Sequence, residues 1–536
     1  MSKKKHGRET ARTEPGKRIA ASTYLLLAFI EGAAVISVEL LGAKMLTPFF
    51  GNSLIVWASV IGVTITFLTM GYYAGGLLSR GANPDLYLAL AFLSAAALIT
   101  FMSTWAHTMF GWFQASSVYS ASIVSASLLL GPPLFAFGTT SPLVIRQLSR
   151  QVAEAGKKAG LVYAVSTIGG IVFTFLAGFV LIPALGITIP LYIIACLLFG
   201  FTALFMYSRT VMATIVAVVF LKALTLAHGG AEPGGALSVP FVSEGLLGQL
   251  KVVDKVDTAA RLEIRHLLIN GIPQTRIVNN AFRVSYWKYV HEISMFSSLK
   301  KGSPHVLLFG FAAGSLATEL IRMNMKLDAV ELDARMMPIA RDYFYFDDTT
   351  THFFVDDARH YIKTASSKYD LIVFDVLNGE VQPSYVFTTE SFRELKNLLN
   401  DDGMIIIEFQ EILARKKTTV YKCIVNTLLE AGYKTYVHLG TGEIVDIIIV
   451  SSPKDIDFSR LKKENMNPCC AGQPWTDDLI KNPVLRCPSP FPDGFVLTDD
   501  KPVIDYLNAE TIRKWREGAI INFAQVELTE GLKLFK

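Results

Sequence analysis

Charge is scarce in the first 230 residues of this 536-residue chain: 15 lysines and arginines and 6 acids, against 35 and 40 in the remainder. So little charge excludes an ordinary water-facing surface there. Charged residues make up 18% of the whole chain and mean hydropathy is +0.39, too apolar for a soluble protein. Basic runs that would follow a phosphate backbone are lacking, since the lysines are scattered and the positive excess lies in the apolar part. Nucleic acid is therefore excluded as a partner. Cysteine is also sparse: Cys196, Cys423, Cys469, Cys470 and Cys487. The last three share a Pro/Gly-rich stretch without a clear fourth ligand, so zinc is disfavoured and no metal is expected. They read either as free thiols or, in an oxidising compartment, as a disulfide from Cys469 or Cys470 to Cys487. A cleavable signal peptide is excluded because the first apolar run is too long and more follow it.

What the first part has instead is long apolar runs. After a basic tail over 1–18 they cover about 20–47, 54–78, 86–106, 118–138, 160–183, 187–206 and 210–227, a bundle of about seven spans within 19–227. Arg80, Arg146, Arg150, Lys157, Lys158 and Arg209 fall in alternate loops on the side of the tail. That asymmetry reads as a multi-pass plasma membrane protein in the lipid bilayer, N-terminus cytoplasmic. Seven spans put the second half outside the cytoplasm and an even number puts it inside; both stay open. Glu31, Glu39 and Lys44 lie at membrane depth, either as a packing ion pair or as a polar site. Gly71 to Gly76 and Gly169-Gly170 invite close helix contact, and Gly131-Pro132-Pro133 predicts a kink.

Residues 228–243 read as a linker, and 244–300 as a small β-hairpin subdomain with a connecting helix, turning at Asn270-Gly271. From 301 to 536 the pattern is α/β, with a Cys/Pro-rich insert near 465–495. Val306 to Phe309 is an apolar strand that breaks into Gly310-Phe311-Ala312-Ala313-Gly314-Ser315 and then a helix. The next strand ends in Glu331-Leu332-Asp333, and Asp356-Asp357 and Asp375 follow near later strand ends. Strand, small-residue turn, helix and strand with a terminal acid make a βαβ nucleotide-binding unit. Glu331 stands 21 residues beyond Gly310, about where a carboxylate accepts from ribose hydroxyls.

These motifs resemble the spermidine synthases (polyamine aminopropyltransferases), and the whole chain resembles their membrane-fused relatives over roughly 20–510. Asn270-Gly271-Ile272-Pro273-Gln274 is similar to the family's Asp-Gly-x-x-Gln turn, and Gly310 to Ser315 stands where the family has GGGDGG. Val330-Glu331-Leu332-Asp333, Asp356-Asp357-Ala358, Tyr369 to Asp375 and Phe387 to Phe392 match further family motifs. Glu39 to Lys44, Leu161 to Gly169 and Leu497 to Val503 resemble the fused relatives. The chain departs from the family where Asn378 replaces an Asp that acts as base, where Ala313 replaces the Asp of the glycine turn, and at Asn270. An amide accepts no proton at neutral pH; Glu380, Glu408, Tyr286, Tyr289 and His291 are candidate substitutes.

The resemblance implies a Rossmann-like, class I methyltransferase-type fold, a homodimer, and a decarboxylated S-adenosylmethionine or S-adenosylmethionine co-substrate. It implies that Gly310, Gly314, Glu331, Asp356, Asp357 and Asp375 hold the donor, with Asp375 and the Asn378 position catalytic. Gln274, Tyr286, Tyr289 and Glu39 would face a polyamine-like acceptor. The expected activity is membrane-bound aminopropyl transfer. Methyl or alkyl transfer from S-adenosylmethionine, or a non-catalytic polyamine- or nucleoside-binding transporter or sensor, stand beside it.

Overall fold

The computed structural model describes residues 20–50, 54–110, 118–149, 151–205, 209–227, 237–257, 262–279, 283–376, 382–413, 418–462, 474–481, 484–501 and 503–530. The basic tail, Asn378, Glu380, Cys469 and Cys470 lie outside them, and with these the disulfide expectation. Cys487 is a buried free thiol.

The apolar runs fold as helices: α1 (Ala21–Phe50), α2 (Leu54–Leu78), α3 (Pro84–Phe110), α4 (Val118–Leu129), α5 (Gly131–Leu148), α6 (Ala155–Leu176), α7 (Ile182–Leu185), α8 (Thr188–Phe205) and α9 (Arg209–Ala227). Among the described residues, four stretches are long and apolar enough to cross a membrane: Ala21–Thr47, Val56–Leu78, Pro84–Ala106 and Val152–Leu185. A fifth is reached if α4 and α5 form one broken span, and α8 is shorter. The α4–α5 axis bends by 51° at the Gly-Pro-Pro step, where proline lacks the N–H that would continue the helix. Outward side chains are apolar, Ile65, Tyr73 and Phe179 among them, which suits lipid rather than water.

Glycines set the helix spacing. A Cβ on Gly32 of α1 would lie 1.8 Å from the Ser166 carbonyl oxygen of α6. One on Gly71 of α2 would lie 2.4 Å from the Phe135 carbonyl oxygen of α5. Beside the first contact, buried Glu31 accepts a hydrogen bond from the Ser166 hydroxyl at 2.7 Å. Among the described residues no ion pair joins Glu39 to Lys44, because five residues along a helix turn two side chains about 140° apart. The Lys44 ammonium instead stands 5.9 Å from the Trp57 ring centre.

Among the described residues, the second half holds two sheets. The first is an antiparallel meander of β1 (Leu237–Ser243), β2 (Leu250–Asp257), β3 (Leu262–Ile269) and β4 (Ile272–Val278). Asn270-Gly271 joins β3 to β4, with φ of 51° and 80°, the left-handed pair a two-residue hairpin requires. The linker expected over 228–243 therefore ends early, because Leu237 to Ser243 pair with β2. Pro240 is tolerated there because β1 is an edge strand.

The second sheet has β5 (His305–Phe309), β6 (Lys326–Glu331), β7 (Thr351–Val355), β8 (Tyr369–Phe374), β9 (Leu399–Glu411), β10 (Lys434–Leu439), β11 (Val445–Ser452) and β12 (Leu485–Cys487). Its order is β12-β10-β11-β9-β8-β5-β6-β7. Strands β5 to β9 run parallel to one another, β11 is antiparallel to β9 and β10, and β12 is antiparallel to β10. One face packs under α10 (Lys288–Ser297), α11 (Ser315–Arg322) and α12 (Met336–Phe344). The other packs under α13 (Ala358–Thr364), α14 (Thr389–Leu395) and α15 (Val420–Glu430). Covered on both sides, the central strands read as unbroken apolar runs. This is a Rossmann-like, methyltransferase-type domain. Its connections leave in opposite directions from β5 and β8, and ligands of such sheets sit in the crevice at that switch, beyond the carboxyl ends of the strands. After α16 (Pro474–Lys481) and α17 (Ile504–Leu507), the chain closes with α18 (Ala509–Glu530) across β4.

The two halves touch. Val253 and Leu268 of the meander belong to the apolar core of the bundle. Glu244 accepts from the Ile187 backbone N–H at 2.7 Å, where α7 hands over to α8. Arg335 ties the meander to the larger sheet: it binds Asp333 at 2.6 Å and donates to the Gly248 carbonyl at 3.0 Å.

Candidate active site

A cavity of about 330 Å³ opens at the switch between β5 and β8. Gly310, Glu331, Asp356, Asp357, Asp375, Gln274 and Tyr289 of the expected site all line it. The turn after β5 is its floor. Gly310 adopts φ +85°, and a Cβ there would stand 2.0 Å from the Asp375 carbonyl oxygen. Only glycine lets the two strand ends come so close. Gly314, φ +77°, starts α11 and packs against Phe311 and Phe346; it shapes the turn without lining the cavity.

Glu331 holds that turn. One carboxylate oxygen accepts from the N–H groups of Phe311 at 3.0 Å and Ala312 at 3.2 Å; the other accepts from Asp333 at 3.0 Å. Burial raises its pKa while these N–H groups lower it. A carboxylate has about four acceptor positions, so capacity remains toward the cavity. Asp357 has a structural duty of its own. It caps α13 by accepting from Arg359 and His360 N–H at 2.8 and 3.1 Å, and its other oxygen accepts from the Tyr385 hydroxyl at 2.6 Å. Asp356 pairs with His360 at 2.8 Å.

Asp375 follows β8 and is bonded to Tyr289 of α10. Burial, and to a lesser degree the Glu331 charge, push its carboxyl up to about 7, while the Tyr289 hydrogen bond works the other way. The register Phe374↔Ile407 sets Asp375 beside Glu408 of β9. Glu408 is 2% exposed, and neither carboxylate oxygen has a hydrogen-bond partner among the described residues. Burial, then the charges of Asp375, Asp446 and Glu292, hold its proton on well above the usual carboxylate range. Of the five substitutes for the missing base, Tyr289 lines the cavity, and Glu408 lies beside Asp375 without lining it.

Residues 285–431 match the spermine/spermidine synthase domain. Polyamine aminopropyltransferase 2 of Aquifex aeolicus is 23% identical over 479 residues, covering 83% of this chain and 91% of that one. The polyamine aminopropyltransferase of Vibrio vulnificus is 36% identical over 107 residues, which span 19% of this chain and 36% of the relative. A probable spermidine synthase from Corynebacterium glutamicum is a structural neighbour with TM-score 0.35 and 18% identity, covering 42% of this chain and 82% of that one. Over residues 285–431 the chain is similar to the spermine/spermidine synthase domain.

Two expected acceptor residues stand away from the cavity. Tyr286 points outward, 45% exposed, and its ring lies against the Arg276 guanidinium. The bridge Ile277↔Ser285 turns Ser285 inward, and the alternation of extended backbone turns Tyr286 out. Glu39 sits half-buried on α1 and is not among the cavity residues. Two tryptophans escaped the sequence reading. Trp287 and Trp515, of α18, stack at 5.9 Å between ring centres and wall the cavity. Trp287 adjoins Tyr289 and carried a local aromatic signal; Trp515 carried none, because only the return of α18 across β4 brings it here.

Proposed function

We propose that this protein is a membrane-bound transferase that moves an aminopropyl group from decarboxylated S-adenosylmethionine to an amine. The observation that carries the reading is the cavity itself, in which Gly310, Glu331, Asp375 and Tyr289 converge at the switch point of the sheet. The residues fit such a donor: Gly310 lets the ends of β5 and β8 close up beneath the cavity, and Glu331 keeps acceptor positions free for ribose hydroxyls. Asp357 keeps less capacity for an adenine amino group, being committed to its cap and to Tyr385.

The donor supplies a sulfonium-activated carbon: the amine lone pair forms the C–N bond, the C–S bond breaks with its pair going to sulfur, and one proton leaves the nitrogen. Asp375 is the group poised to take that proton. Its raised pKa is matched to work near neutrality, and Tyr289 orients its carboxylate. Trp287 and Trp515 exclude water and align the amine. Asn378 then needs no part in the proton transfer. The apolar helices hold the domain at a bilayer; the full seven spans require α8 and α9 to cross as well.

The test is a calorimetric titration of the full chain with decarboxylated and intact S-adenosylmethionine, followed by mass analysis of products with amines present. A mass gain of one aminopropyl unit supports the reading. A methyl gain, or binding without product, replaces it with one of the two alternatives.

A further inference from the structure

A second cavity, of about 700 Å³, adjoins the first and shares Pro273, Trp287, Gln410 and Trp515 with it. A molecule threaded past these four residues has one end near Asp375 and the other in the second cavity. The chemistry of the two ends differs. The first cavity is lined by Glu331, Asp356, Asp357 and Asp375 and, among the described residues, by no lysine or arginine, which suits an amine. The far cavity is lined by Lys255, His266, Arg276 and Lys514 and by one acid, Asp446. Asp446 is already committed, accepting from the Gln410 amide at 2.7 Å, and Lys514 contacts the exposed Glu443.

Strand register explains the basic lining. Lys255 pairs with Ile264, Val253 with His266, and His266 with Arg276, so Lys255, His266 and Arg276 share one face of the meander. The Arg276 guanidinium stands 5.0 Å from the Tyr286 ring centre and 4.9 Å from that of Trp287. His266 stays neutral: burial, then Arg276 and Lys255, lower its pKa to about 3. The same face carries Val253 and Leu268, which pack into the bundle core. The basic cavity thus opens from the sheet face that meets the membrane part.

A linear polyamine is cationic along its length, and its far ammonium would meet these like charges. We propose that the acceptor is an amine that also bears a phosphate-type anion, with the amine beside Asp375 and the anion held by Lys255, Arg276 and Lys514. This rests on the transferase reading above and narrows its acceptor. The reaction is unchanged: the amine nitrogen gains the aminopropyl carbon and loses one proton, and the thioether of the donor departs. Either a free phosphoamine or the headgroup of an aminophospholipid carries this chemistry.

The test uses the full chain in lipid nanodiscs. Calorimetry compares phosphoethanolamine, ethanolamine and putrescine. Product mass with decarboxylated S-adenosylmethionine is then read for these amines and for vesicles of phosphatidylethanolamine against phosphatidylcholine. Phosphoethanolamine is expected to bind about tenfold or more tighter than ethanolamine or putrescine, the gain of a charge-assisted contact. Arg276→Gln and Lys255→Gln should each remove most of that preference, and Arg276→Lys should restore part of it. Product from the vesicles alone identifies the lipid source, and product from phosphoethanolamine the free one; both support the proposal. Equal or tighter binding of putrescine, unaltered by either substitution, overturns it. Product from putrescine alone leaves the transferase reading standing and the anion site refuted. A phosphoethanolamine preference that depends on Arg276, with no product from any amine, keeps the anion site and refutes the transfer.

Discussion

Tyr289 and Asp375 meet where β8 ends under α10, and their hydrogen bond has a measurable consequence. The bond favours the ionised carboxylate, against burial, which favours the neutral acid. The proton acceptor must be ionised to work, so kcat/KM should rise with pH through about 7. Tyr289→Phe removes the stabilising donor, raises the Asp375 pKa and should move that rising limb to higher pH. A limb that stays in place would separate Asp375 from the proton transfer. Asp375→Asn should lower the rate by about 10²–10⁴-fold, the usual worth of a general base. Glu408 carries a different expectation. Its proton is retained in the fold and released in the unfolded chain near the ordinary carboxylate value. Above that value the folded state binds more protons than the unfolded one, so stability falls as pH rises. Glutamine keeps the shape and has no proton to lose. Glu408→Gln should therefore raise the Tm more at pH 8 than at pH 4.5; an equal change at both would contradict the assignment.

The elements that build the site differ in how plainly the sequence announced them. β5, its small-residue turn, α11 and β6 were legible because a buried parallel strand is an apolar run and the turn that follows needs glycine. The same reasoning found β8 and Asp375. It missed β1, where Pro240 looks like a linker residue until an edge strand excuses it. Glu408 could be named but not chosen from sequence, since its place beside Asp375 comes from a strand order that no local pattern records. Tyr286 and Tyr289 looked equivalent, and only the turn from extended backbone into α10 sends one outward and the other inward. Gly310 offers the test at this scale. Alanine there must hold φ near +85° and displace the Asp375 carbonyl, at a cost of at least about 1–3 kcal/mol of strain. Gly310→Ala should lower the Tm and abolish donor binding in calorimetry, whereas unchanged donor affinity would show that the turn does not cradle the ligand.

For the whole molecule, the question is whether the helical half is an anchor or a partner in the fold. A single apolar helix of about 20 residues would hold a domain at a bilayer. Here the meander instead inserts Val253 and Leu268, both fully buried, into the core of the bundle, and Glu244 accepts from a backbone N–H of the helical half. The face that makes this contact also carries the basic residues of the second cavity, so the packing between the halves helps to hold Lys255, His266 and Arg276 in place. Leu268→Ala distinguishes the two roles. In the full chain it should cost about 2–5 kcal/mol, because it leaves a hole closed by both halves. In a chain that starts at residue 237 the side chain has no bundle to meet, and the hole would open to water. The same substitution should then change thermal stability little, and the shortened wild-type chain should show the greater tendency to aggregate through its uncovered Val253 and Leu268. Equal losses in the two chains would show that Leu268 is buried by the second half alone, and the bundle would then be an anchor and no more.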